Sequence, residues 1–332
     1  MATTITKTIK PSGGDYTSLS AWEAGMQKDL VTADEISVAE CYSMSDTAAV
    51  SIDGWTTDAT RYIKVYTPIS ERHSGKWDAT KYRLVVSADW TGVLGVVEDY
   101  VYVDGLQIEQ TASGANNSSV VLLGASIGRF ELSNSILHHG NITKYIGLNL
   151  SANGSGLSIY VYNSLIYDCM RGIFWDWGNS INGVIYNNTI LDCNTGTSPT
   201  GIWLVGSAAN NNLHVKNNLC NGNTVDYNLS NIESSATNLS EDATSPQTAL
   251  RNLAVAFVDE VNNDFHLASG DTAAKDAGTN LSGDSQYAFT VDIDGQTRSG
   301  SWDIGADEYI AVGGLSIPIA MYHYQHHIGS GV

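Results

Sequence analysis

A short phrase recurs through the middle of the chain and restricts what it can fold into. It reads Leu132-Ser133-Asn134-Ser135-Ile136-Leu137, then Val161-Tyr162-Asn163-Ser164-Leu165-Ile166. It returns as Ile185-Tyr186-Asn187-Asn188-Thr189-Ile190 and as Val215-Lys216-Asn217-Asn218-Leu219. The marker asparagines are spaced by 29, 24 and 30 residues, and Val103-Asp104-Gly105-Leu106 lies one further step upstream. A second marker keeps the same beat at Gly147-Leu148, Gly172-Ile173 and Gly201-Ile202. Repeats of this length define solenoids, propellers or arrays.

The unit is made of strands. Each phrase alternates apolar and polar residues, is rich in Val, Ile and Tyr, and ends in Asn, Ser or Gly. Asn and Gly tolerate the left-handed backbone of a sharp corner. A coil of about 25–30 residues holds two or three strands of about 5–6 residues with their corners, whereas a propeller blade needs about 40. The pattern predicts an all-β fold, a single-stranded right-handed parallel β-helix, with Asn134, Asn163, Asn187 and Asn217 stacked at one corner. Their amides are expected to bond from coil to coil, as in an Asn ladder.

Four segments follow from this rhythm. Residues 1–35 hold an N-terminal strand and a helical cap, predicted from Ser20 and Glu23 as a capping box before a run of helix formers. Such a cap covers apolar core and free strand edges at the end of a solenoid. Residues 36–229 are coils. Residues 230–310 break the rhythm as irregular C-terminal coils and cap. Residues 311–332 form an apolar tail rich in His and Tyr.

Composition narrows the partners. The net charge is −19, from 16 basic and 35 acidic residues. Backbone binding to nucleic acid needs a basic face, so no nucleic-acid partner is expected. No run approaches 18 apolar residues, so no membrane insertion is expected. The N-terminus carries no apolar h-region and reads as lacking a signal peptide. Of four cysteines, Cys169 and Cys193 lie one coil apart. They are expected to stack as reduced core thiols.

The last part of the rhythm-free region reads Asp292-Ile293-Asp294-Gly295-Gln296-Thr297-Arg298, then Asp303-Ile304-Gly305-Ala306-Asp307-Glu308-Tyr309. With the opening Gly14-Asp15-Tyr16-Thr17-Ser18-Leu19 and Trp22, this resembles right-handed parallel β-helix proteins of the pectate-lyase-like superfamily. The resemblance covers nearly the whole chain to Tyr309. It implies a fold and not a reaction. Arg298 among the carboxylates predicts an ion pair that pins this end. A calcium site at Asp292 and Asp294 is the alternative, although the fragment lacks the other ligands of a calcium loop.

Two columns can carry chemistry. Aligning coils on the asparagines puts His139, Asp168 and Asp192 in register, with neighbours about 4.8 Å apart. The resemblance implies that such carboxylate columns hold calcium in polysaccharide lyases, with an Arg or Lys as base. Arg171 and Lys216 are the candidates, without a lyase motif around either. The alternative is that both aspartates are corner residues bonded to backbone N–H groups. In the second column, Leu148, Ile173 and Ile202 are predicted inward, which sends Asn149, Phe174 and Trp203 outward as a glycan-stacking face.

The tail carries Leu315, Ile317, Ile319, Met321, Tyr322 and Tyr324. It is expected to dock on another subunit within an oligomer or larger assembly. The leading expectation is a non-enzymatic structural or binding β-helix on a particle surface, such as a phage head-decoration, fibre or spike protein that binds glycan. An extracellular polysaccharide lyase or hydrolase and a secreted or cell-surface adhesin are the alternatives. No cofactor is expected beyond the alternative of Ca2+.

Overall fold

The chain winds into a right-handed parallel β-helix. The structure, a computed structural model, describes residues 2–87, 92–113, 118–124, 128–140, 145–150, 156–176, 180–206 and 212–311. Each full coil contributes one strand to each of three long parallel sheets. One turn runs through Leu157–Tyr162 of the first sheet, Leu165–Tyr167 of the third and Arg171–Trp175 of the second. It returns to the first sheet at Ile181–Tyr186, which pairs in register with Leu157–Tyr162.

Alternation along each strand builds the core. Ile63, Val101, Phe130 and Ile159 stack inward in the first sheet. Leu148, Ile173 and Ile202 stack inward in the second, as their spacing predicts, and all seven are fully buried. Cys169, Cys193 and Cys220 are free buried thiols. The recurring Gly147, Gly172 and Gly201 now have a steric cause. A Cβ on Gly147 would lie 2.7 Å from the Gly172 carbonyl, and one on Gly172 would lie 2.6 Å from that of Gly201. Only glycine admits such a close approach.

The predicted corner holds. Asn134, Asn163, Asn187 and Asn217 take φ of 47°, 49°, 49° and 56°. The amide ladder along them is interrupted, however. Asn163 Nδ2 reaches Asn134 Oδ1 at 3.4 Å, and Asn217 Nδ2 reaches Asn187 Oδ1 at 3.1 Å. Between Asn163 and Asn187 the groups are engaged elsewhere. The unbroken ladder lies one residue on, where Asn188 donates to Asn218 (3.0 Å) and Asn218 to Asn238 (2.9 Å).

The helical cap, α1 (Leu19–Met26), is present but starts earlier than expected. Its N-cap is Ser18, whose hydroxyl accepts from Ala21 N at 3.1 Å. Glu23 is no capping-box partner. It is buried, accepts from Trp55 Nε1 at 2.8 Å and from Asp53 N at 3.1 Å, and burial pushes it up to about 7.

The chain beyond the last coil strands (Ser234–Ala236 and Leu239–Ser240) does not stay at the end of the stack. After a short covering segment, residues 253–309 run back along the flank as a strap. Phe265, Leu267, Ile293 and Ile304 pack on the outward residues Ile136, Leu165, Leu191 and Leu219 of the third sheet. Leu281 and Trp302 pack on Val184 and Tyr186 of the first. Arg298 fastens the strap over the asparagine corner. Its guanidinium is fully buried and pairs with Glu308 at 3.2 Å. It also donates to Asn163 Oδ1 at 3.1 Å and to the carbonyls of Gly305 and Ala306. Asn187 Nδ2 donates to the carbonyls of Asp303 and Gly305. The ion pair predicted for Arg298 is therefore present, with Glu308 as its carboxylate partner.

Candidate functional site

The outward columns of the first sheet form a groove. Tyr102 sits between Lys64 and Glu131 on neighbouring coils, and Asp104 between Tyr66 and Ser133. The groove has a volume of about 260 Å³ and is lined by Tyr62, Lys64, Tyr102, Asp104, Glu131, Asn134 and Tyr162. The Tyr62 and Tyr102 rings lie 4.8 Å apart, and Arg129 stacks over Tyr160 at 3.9 Å. The strap closes one end. Its Tyr287 hydroxyl donates to Glu131 Oε1 at 2.7 Å, and Tyr162 donates to the same oxygen at 3.0 Å. Asp104 accepts from Asn134 at 2.8 Å and pairs with Arg72 at 2.9 Å. The polar groups are thus held by partners while ring faces line the wall. This combination suits a ligand with alternating apolar faces and hydroxyl edges.

The second sheet presents the face predicted from sequence. Asn149, Phe174 and Trp203 occupy one outward column. The Phe174 and Trp203 rings lie 6.4 Å apart, with Arg171 over both at 4.5 and 4.7 Å. Trp175 turns inward, as alternation requires. Further along the same face, Ser51, Gly95, Val97 and Leu122 line a shallower, more apolar groove of about 360 Å³.

The candidate catalytic residues do not converge. Asp168 and Asp192 do stack, each at a left-handed corner with φ of 55°. Neither carboxylate accepts a hydrogen bond from the described residues, so the expected backbone capping is absent. Burial, then the charge of Asp168, pushes Asp192 up to about 6, and burial also raises Asp168. His139 is in register but buried, its ring stacked on Tyr145 at 3.9 Å. Arg171, on the second sheet, donates to the Thr197 and Ser198 carbonyls of the loop that precedes the next strand of that sheet. Lys216 is on the first sheet, ion-paired with Asp284 at 2.6 Å. Neither Arg171 nor Lys216 therefore faces the aspartate pair.

The aspartates of the calcium alternative part company. Asp292 accepts from the backbone of Asp294, Gln296 and Glu308, and burial pushes it up to about 7. Asp294 faces His266 Nε2 at 3.2 Å instead, with Asp307 close by. His266 Nδ1 meets Asp264 at 2.5 Å. The docking residues Leu315, Ile317, Ile319, Met321, Tyr322 and Tyr324 lie outside the described residues.

Sequence reasoning missed the tyrosine groove, although its signal was there. The alternation that sends Phe174 and Trp203 outward also sends out Tyr102, Tyr160 and Tyr162. A scan against protein-family models finds no match, and a search of curated proteins finds no significant relative. The class of protein is therefore defined by its fold, a strapped right-handed parallel β-helix.

Proposed function

We propose that this protein is a non-catalytic β-helix of the pectate-lyase-like type that binds glycan along its flank. In this reading it is displayed on a particle surface, as a virion decoration, fibre or spike component. The groove around Tyr62, Tyr102 and Tyr162 carries the reading, because it joins aromatic faces to fixed hydrogen-bonding groups. The burial of His139 and the placement of Arg171 and Lys216 on the other two sheets support binding over turnover. The apolar tail would anchor the chain to another subunit. The test is affinity electrophoresis of the full chain and of Tyr102→Ala in gels containing surface polysaccharides. Retardation of the parent, reduced about tenfold in affinity by the substitution, is expected at about 1–3 kcal/mol per aromatic stack, the range known for base stacking. Equal mobility with and without every polysaccharide overturns it.

The aspartate pair supports a second reading, a cation-dependent polysaccharide lyase. Two stacked carboxylates whose proton affinity is raised are a known feature of catalytic and cation sites. Calcium-dependent cleavage of a polyuronate, abolished in Asp192→Asn, would establish it over the first.

A further inference from the structure

We propose that His266, Asp294 and Asp307 form a binding site for a divalent transition-metal ion of the Zn2+ class. One ligand atom from each residue lies within 4.8 Å of the others. Among the described residues, they are the only such grouping of three His, Cys, Asp or Glu side chains. They come from three parts of the strap: the strand Asp264–Leu267, the turn after Ile293 and the closing phrase at 303–309.

The surroundings are those of a coordination site. Asp264 binds the Nδ1 edge of His266 at 2.5 Å, which aims Nε2 at Asp294 and Asp307. A carboxylate behind a histidine is the usual orienting partner of a metal-bound imidazole. Asp294 Oδ1 is buried without a hydrogen-bond partner. Asp307 is buried and uses one carboxylate oxygen to accept from Leu267 N at 2.7 Å. A cavity of about 10 Å³ adjoins the group and is bordered by Gly75, Thr189, Phe265, His266 and Asp307, about the space of one water-sized sphere. On the coil side Gly75 keeps the approach open. A Cβ there would lie 2.5 Å from His266 Nε2 and would also strike Asp294 Oδ1.

The donor set selects the ion. An imidazole nitrogen beside two carboxylates favours Zn2+ and its neighbours over Ca2+, which takes six to eight oxygens. Ligands of a tetrahedral Zn2+ sit about 3.4 Å apart, given bonds of about 2.0–2.1 Å. Asp294 is already at 3.2 Å from Nε2. Closing the third carboxylate therefore takes a side-chain adjustment of about an ångström. The ion would join three segments of the strap directly over the Gly75 turn, independently of any glycan.

The test titrates the EDTA-treated full chain with Zn2+ and with Ca2+ by calorimetry. One Zn2+ per chain is expected, with Ca2+ at least tenfold weaker. Asp294→Asn should weaken Zn2+ at least tenfold, and Asp264→Asn about 10–100-fold. Replacing His323, His326 and His327 by Ala should leave this binding intact. As a check that needs no substitution, Mn2+ should broaden the NMR signals of the His266 ring before those of other histidines. The proposal is overturned if Zn2+ does not bind, if binding goes with the tail histidines, or if His266 is not broadened.

Discussion

The coils and the strap both bury apolar side chains, but their polar groups are satisfied by opposite means. In the coils, backbone hydrogen bonds run from strand to strand, and inward columns such as Ile63, Val101, Phe130 and Ile159 supply the apolar burial. The strap's only β pairing is one short antiparallel hairpin and an isolated bridge. Buried charged and amide side chains hold it instead: Arg298 on Glu308 and Asn163, Asn187 on two strap carbonyls, and Asp271, Asp292, Asp303 and Asp307 on backbone N–H groups. A repeat can extend through backbone geometry alone. An irregular segment must be satisfied group by group.

The largest effect should come from Arg298→Ala. It leaves Glu308 buried without its partner, a loss of about 3–5 kcal/mol. Urea unfolding should split into an early strap transition and a later coil transition. A single unshifted transition would mean that the two regions are one cooperative unit. Ile159→Ala tests the other side. Emptying a fully buried core position costs about 2–5 kcal/mol and should lower the coil transition. If the strap loosens first in this variant, the division is wrong. Asn187→Ala removes two bonds to the strap from a left-handed corner and should cost about 1–3 kcal/mol. Hydrogen exchange should then speed up at Ile304 and Gly305 more than at Ile185.

The smallest effect is the response to pH. Burial pushes Asp292 up to about 7 and Asp303 up to about 6, and hydrogen bonding to Asp294 pushes His266 up to about 10. Groups with a raised folded pKa contribute stability that is complete below their unfolded pKa and is lost as pH rises through the folded one. Unfolded carboxylates titrate near about 4 and histidine near about 6.5. Asp264, also against His266, is shifted down, as is Asp284, so their contributions are lost in acid. The strap transition should therefore sit at higher urea at pH 5.5 than at pH 8.5, with a further decline toward pH 10. A strap that becomes more stable over that rise would show that buried carboxylates do not govern it.

Periodic features were legible in the sequence, and long-range ones were not. The corner at Asn134, Asn163, Asn187 and Asn217 and the outward turn of Phe174 and Trp203 follow from spacing and alternation, which are local properties. The amide ladder expected along the corner holds at two steps and breaks at the one between Asn163 and Asn187, because both also bond to residues more than a hundred positions away. No spacing in residues 253–309 encodes that return. Likewise Asp168 and Asp192 stack as their register implies, yet nothing nearby in sequence says which base, if any, faces them. Asp292 and Asp294 look alike in sequence and face different partners, because one turns to the backbone and the other to a histidine strand 28 residues upstream.

The strap also sets an order of events. Lys76 meets Asp264 across 188 positions, while Asn217 meets Thr279 across 62. The surface that receives the strap therefore spans coils from residue 75 to beyond residue 217. It does not exist until those coils have stacked, and the strap is the last part of the described chain to be synthesised. Coils can add one upon another through local closure, which is fast, whereas the return requires closing a very long loop. Docking of the strap is thus an inspection of the finished stack: a missing or slipped coil displaces Asn163, Asn187 or Asn217 and leaves Arg298 without its seat.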